Sequence, residues 1–213
     1  QAYWNKRAAT FTRGATGDYE RWLMELLALE EGEEVLDMGC ATGTLAVPLA
    51  RAGHRVHGCD FAEAMLAILD ERSATEKLPV SSHLLAWEDD WEAAGLGANS
   101  VDVAFASRSL MSGDAPSSVR KLDSAARSKA AVVVPASLLP SRDPRLLTYL
   151  GRAARSPRVV RDVGRALAAM GRVPVYATTR TYRPMRFSSF DEARSDLRRL
   201  AGPEELTARE TRP

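Results

Sequence analysis

Seven residues, Asp37-Met38-Gly39-Cys40-Ala41-Thr42-Gly43, place a carboxylate two positions before one glycine and six before another. They follow a short apolar run, Glu34 to Met38, and precede a helix-like stretch from Thr44 to Ala52. A chain that leaves a strand and turns this sharply into a helix needs backbone without a Cβ, which Gly39 and Gly43 supply. The helix start beyond them offers unpaired N–H groups. Seventeen residues after Gly43, Asp60 closes a second apolar run. A carboxylate at that place in a βαβ unit hydrogen-bonds the two hydroxyls of a ribose. The spacing therefore predicts an adenosine-bearing ligand lying across the strand ends.

Two kinds of adenosine ligand are separated by the turn. Dinucleotide sites use G-x-G-x-x-G and aim a helix start at a pyrophosphate. Here the pattern is G-x-A-x-G, with no glycine three residues after Ala41. Asp37 would repel a pyrophosphate and attract the ammonium of a methionine moiety. This one residue argues for S-adenosylmethionine (SAM) and against an NAD-dependent oxidoreductase.

These residues need a frame to hold them. Residues 3–12 and 18–30 read as helices, the second with Tyr19, Trp22, Leu23, Leu26 and Leu27 on one broad face. Strands are expected at Glu34–Met38, Arg55–Cys59, Ser82–Ala86, Val101–Ala106 and Ala130–Val134. Helices are expected between them at Thr44–Ala52, Ala62–Ser73 and Pro116–Arg127. Strands alternating with helices predict α/β architecture, a Rossmann-like three-layer αβα sandwich around a mostly parallel sheet. Beyond Pro135 the pattern weakens. Arg158–Met170 and Phe190–Leu200 read as helices and Val173–Tyr182 as a strand, with Tyr182–Phe187 a candidate for one more. The last dozen residues read as frayed.

Val35 to Gly43, with His54 to Leu66, resembles the first two motifs of the class I SAM-dependent methyltransferases, a likeness spanning about residues 20–134. Ala41 departs from the second glycine that many members carry. The Trp4-Asn5-Lys6-Arg7 start and Ser107-Arg108-Ser109 are similar to small bacterial and archaeal members. The resemblance implies class I topology and a SAM-dependent methyltransferase that binds SAM and releases S-adenosylhomocysteine (SAH). It implies that Asp37 orients the methionine part and that Gly39, Cys40, Ala41 and Gly43 pass their backbones along the cofactor. Asp60 would hold the ribose and Phe61 the adenine face, with Trp87 and Glu88 at the adenine rim. Ser107 would face the sulfonium and the acceptor. It also implies an N-terminal pair of helices (1–30) covering the cofactor cleft, a SAM-binding domain (31–213), and an acceptor-site cover within 136–213.

Other readings stand beside these. Asp37 could cap the turn, and Asp60 could be a loop carboxylate. Trp87 and Trp91 could cover the core edge, and Glu88, Asp89 and Asp90 could form a solvated acidic loop. Arg108 could bind an anionic acceptor, or pair with Asp89 or Asp90. Trp4 and Phe11 could close a lid, or staple the first helix to the core. His54, His57 and His83 lack metal-ligand spacing and read as structural, so no metal is expected.

Composition narrows the class further. The chain has 213 residues, 45% hydrophobic and 27% charged, ordinary for one globular domain. No apolar run approaches the ~18 residues of a membrane span, and no signal pattern opens the chain, so a cytoplasmic location is expected. Cys40 and Cys59 are too few for a disulfide scaffold and read as small buried hydrophobes. Residues 1–112 hold nine Lys and Arg against eighteen Asp and Glu, and the remainder twenty against ten. The basic half, with Arg180, Arg183 and Arg186 clustered, suits an anionic acceptor or an RNA or protein partner, or is simply the solvated surface of Arg-rich helices. No Asn-Pro-Pro-Tyr or Pro-Cys motif follows the fourth strand, which argues against nucleobase amines and DNA cytosine as acceptors. Methyl transfer needs no catalytic triad, and none is visible. A small-molecule methyltransferase leads, ahead of an RNA or protein methyltransferase and of a non-enzymatic SAM-binding module.

Overall fold

Side chains alternate along a strand, so each strand divides its apolar residues between two faces of the sheet. The computed structural model describes residues 1–9, 11, 17–110, 114–135, 158–180 and 187–201. Its helices are α1 (Ala2–Ala8), α2 (Gly17–Leu27), α3 (Ala46–Arg51), α4 (Glu63–Glu76), α5 (Ala115–Ala125), α6 (Arg158–Ala169) and α7 (Phe190–Ala201). Its strands are β1 (Glu34–Met38), β2 (Arg55–Asp60), β3 (Val80–Leu84), β4 (Val101–Ser107) and β5 (Ala126–Val133). They lie in the order β3-β2-β1-β4-β5, and every neighbouring pair is parallel. Val35, Val56, Val103 and Phe105 face one side and pack with residues of α2, α3 and α4. Leu36, Met38, Cys59, Ala104 and Ala106 face the other and pack with residues of α5 and α6. Helices on both faces bury the sheet, which is why its central strands are apolar throughout.

Local chemistry sets the element ends. Asp114 caps α5 by accepting from Ser117 N–H at 3.0 Å, with Pro116 in the first turn, where its missing N–H does no harm. Residues of α1 pack on α4 through Ala8 and Met65, and Ala64 N–H donates to Asn5 Oδ1 at 3.2 Å. The helix α7 belongs to a second compact unit, and Ser189 Oγ accepts from Glu192 N–H at its start.

Two strands begin earlier than expected. β3 runs Val80–Leu84 rather than Ser82–Ala86, because pairing of Val56 with Val80 and Asp60 with Leu84 sets its limits. β5 begins at Ala126 rather than Ala130. Its first residues are polar because they serve the strand beside it: Arg127 Nε donates to Asp102 Oδ1 at 2.8 Å and Ser128 Oγ to Asp102 O at 2.8 Å. The strand expected at Val173–Tyr182 is corrected for its described part. Residues 172–180 form no strand pairing among the described residues, and Val173 and Val175 are 94% and 92% exposed. Residues 181–186 and 202–213 lie outside the described residues, and with them Arg183, Arg186, the candidate strand from Tyr182 and the final dozen. His57 is structural, bridging Glu34 Oε1 at 2.9 Å and His83 Nε2 at 3.0 Å. Burial and His57 beside it hold the His83 pKa down.

The C-terminal end of α2 is held from the sheet. Lys129 of β5 donates to the carbonyls of both Leu27 and Ala28. A cation at a helix C-terminus satisfies orphan carbonyls and opposes the helix dipole. Lys129→Met should therefore lower the unfolding free energy by about 1 kcal/mol. Urea titration checks this; an unchanged midpoint at unchanged slope would contradict it.

Candidate functional site

The C-terminal ends of β1 and β2 bring two carboxyl groups into the interior. Asp37 is 1% exposed and Asp60 6% exposed. The Ala46 N–H at the start of α3 bonds the Asp37 carboxyl, but Asp37 Oδ2 has no partner. Burial, then the nearby charge of Asp60, push the Asp37 pKa up to about 8, against the pull of Ala46 N–H. Asp60 is raised too, by burial, and partly restored by backbone donors. Its Oδ2 accepts from Ala41 N–H and its Oδ1 from Ala62 N–H, both at 2.9 Å. Asp60 thus ties the glycine turn to the start of α4, so it is not a free loop carboxylate.

The turn between β1 and α3 is built for close approach. Gly39 has φ +83°, and a Cβ there would lie 2.1 Å from Ser109 Cβ. Gly43 has φ +79°, and a Cβ there would lie 2.4 Å from Leu69 Cδ1. Ala41 takes the same left-handed region at φ +49°. Gly39 N–H and Cys40 N–H both donate to Cys59 O, at 2.7 and 2.9 Å. Those two donors are therefore already committed to β2. The Cys40 side chain points into the core, and burial holds its thiol high.

The loops beyond β3 and β4 leave the same end of the parallel sheet as Asp37 and Asp60. Trp87 is buried, stacks near Trp91 at 5.5 Å, and donates Nε1–H to Ser109 O at 3.1 Å. Trp91 donates to Ala86 O at 3.1 Å, so both indoles serve the core edge. Glu88, next to Trp87 in sequence, and Phe61, next to Asp60, are exposed. Asp89 is not simply solvated: its Oδ2 accepts from Ala86 N–H at 2.8 Å, and Asp90 Oδ1 accepts from Glu92 N–H at 3.0 Å. Lys121 of α5 clamps the loop from below, donating to Trp87 O at 2.8 Å and Asp89 O at 2.7 Å. Phe11 packs on the α1–α4 contact, and Trp4 meets it edge-on at 6.2 Å, half out in solvent.

Ser107 ends β4, and its Oγ lies 2.5 Å from the Tyr19 hydroxyl. Arg108 follows at φ +58°, with its guanidinium over the Tyr19 ring at 4.8 Å. Pairing with Asp89 or Asp90 is thereby corrected: the partner is aromatic. Sequence reasoning missed Tyr19, Ser109 and Lys121. Tyr19 was visible only as one apolar member of its helix face, and nothing local marks a hydroxyl aimed 88 residues away. Among the described residues no group of His, Cys, Asp and Glu is placed to hold a metal ion.

Known proteins share parts of this arrangement. Residues 35–130 match the family model of a methyltransferase domain. An uncharacterized protein of Haemophilus influenzae is 31% identical over 134 residues, 59% of this chain and 47% of its own. Glycine N-methyltransferase of Rattus norvegicus is 33% identical over 81 residues, 38% of this chain and 28% of its own. The chain thus spans half or less of these relatives. Geranyl diphosphate C-methyltransferase from Streptomyces coelicolor A3(2), solved with SAH, superimposes with TM-score 0.57 at 17% identity, over 78% of this chain and 63% of that one. YcgJ from Bacillus subtilis gives 0.56 at 13% identity, over 72% and 68%. Residues 35–130 thus match a methyltransferase domain, and the sheet and flanking helices have the fold of the class I SAM-dependent methyltransferases.

Asp37 makes pH a test of the site. Its carboxyl holds its proton in the folded protein to about pH 8 but loses it near 3.8 when unfolded. The folded state therefore binds more protons across that window, and ligand-free stability falls as pH rises through it, by at most about 1.4 kcal/mol per pH unit. Asp37→Asn cannot ionise and should lack that slope, so it should be the more stable protein at pH 8. Thermal unfolding between pH 5 and pH 8 checks this; parallel curves for the two proteins would contradict it.

Proposed function

We propose that the chain is a methyltransferase that carries a methyl group from SAM to a small-molecule acceptor. The observation that carries this reading is the buried Asp37 oxygen without a partner, at a strand end beside a turn that only glycine can form. An unmatched buried carboxyl oxygen is costly and calls for a donor. The ammonium of the methionine moiety is a donor of the right charge, so the residues fit the cofactor. Bound there, SAM supplies a methyl group already activated on a sulfonium.

The chain's own part is to bind, orient and exclude water. Asp37 would hold the ammonium, Asp60 the ribose hydroxyls with its remaining lone pairs, and Gly39, Cys40, Ala41 and Gly43 the flank of the ligand. Phe61 would cover the adenine, with Trp87 and Glu88 at its rim. Ser107 would face the reacting end. The helices α1 and α2, from the first thirty residues, would cover the cleft, and part of 136–213 would complete the acceptor side. Relatives that act on small molecules, such as glycine N-methyltransferase and geranyl diphosphate C-methyltransferase, support a small acceptor over a macromolecule. No described helix is long and apolar enough to cross a membrane, which fits an enzyme working in the cytoplasm.

Calorimetric titration of SAH tests this reading, with NAD as the control. Micromolar SAH binding is expected, weakened at least about tenfold in Asp60→Ala, with no heat from NAD. Binding of NAD in place of SAH would refute it.

A further inference from the structure

Arg108 is an exposed cation held in an unusual way. A surface arginine ordinarily pairs with a carboxylate or samples many rotamers. Arg108 pairs with no carboxylate among the described residues, although the chain around it, 1–112, holds twice as many acids as bases. Its guanidinium lies instead over the ring of Tyr19, which is 6% exposed and set in the core. A guanidinium on an aromatic face is held in place with its N–H edge still free to donate.

The backbone is committed to the same end. At φ +58° a residue with a Cβ costs about 1 kcal/mol relative to ordinary conformations. Arg108 N–H donates to Val133 O at 2.8 Å and pins the strained residue to β5. Strain kept at the end of a central strand is a mark of a working position.

The hydroxyls of Tyr19 and Ser107, 2.5 Å apart, complete the group. Whichever of them donates to the other, the second keeps its own proton for a third partner. A guanidinium fork beside a free O–H is a donor-rich set suited to an oxyanion. Two residues on, Ser109 packs against Gly39 and bonds Met38 O at 2.5 Å, so the group stands next to the cofactor turn.

The geometry points to an oxyanion subsite, formed by Arg108, Tyr19 and Ser107, that holds the carboxylate or phosphate of the methyl acceptor at the ends of β1 and β4. This names the substrate class for the function proposed above and rests on that function. Tyr19 is then a positioning residue: it fixes Arg108 with its ring and Ser107 with its hydroxyl.

Nuclear magnetic resonance on the SAH-saturated protein tests the subsite. Acetate and inorganic phosphate are titrated separately at constant ionic strength, following the backbone amides of Ser107 and Ser109. A saturable shift is expected, and the anion that saturates at lower concentration tells carboxylate from phosphate. Arg108→Asn, which tolerates the left-handed backbone, should weaken that binding at least about tenfold. Tyr19→Phe keeps the ring and should weaken it several-fold. Both variants should bind SAH within about twofold of the parent, a split that a merely structural role would not produce. No saturable shift with either anion, or equal binding by Arg108→Asn, overturns the subsite. Failure of the folded parent to bind SAH would instead sink the methyltransferase reading, and the same titration on the ligand-free protein would still decide the subsite.

Discussion

A carboxyl group folded into the interior with one oxygen unmatched is the constraint around which the strand ends are arranged. Asp37 lies on a central strand, bonded by the start of α3 and close enough to Asp60 for that charge to disfavour its own. Alone, such a group weakens the fold. On the proposed function a cation would complete it, and binding would relieve that unfavourable arrangement. Gly39 belongs to the same economy of space: the turn is so close to Ser109 that no side chain fits.

The rest of the molecule supports that corner. Two apolar faces clamp the sheet, and their helices enter or leave at the strand ends. Lys129 holds one end of α2, and Tyr19 at the other meets β4. Lys121 ties the loop after β3 to α5. The Tyr19 and Lys121 contacts join residues distant in sequence near the strand ends that carry Asp37 and Asp60, whereas Lys129 anchors α2 from the middle of β5.

Much of this corner was legible in the sequence because its signals are local. Apolar runs broken by Gly39 and Gly43, and an acid closing the second run, depend on neighbours along the chain. The ends of β3 and β5 were not, because pairing across the sheet sets them: Val80 is in the strand because it faces Val56. Arg108 illustrates the same limit. An acidic partner was the natural expectation from nearby Asp89 and Asp90, yet the fold brings it Tyr19 from far upstream. Trp87 allowed two readings, core edge or cofactor rim; its packing in the core beside the site shows the first and supports the second only by position. The alternation at 173–180 looked like a strand, but alternation alone cannot supply a partner for its hydrogen bonds.

On the proposed function, Asp37 exchanges a proton for the cofactor's ammonium. This exchange is tested most directly by measuring SAH binding heats at pH 7 in two buffers of different ionisation enthalpy. With its pKa near 8, Asp37 is mostly protonated in the ligand-free protein at that pH. Release of close to one proton per SAH bound is expected, and none in Asp37→Asn if that variant still binds. Heats that do not depend on the buffer would contradict it.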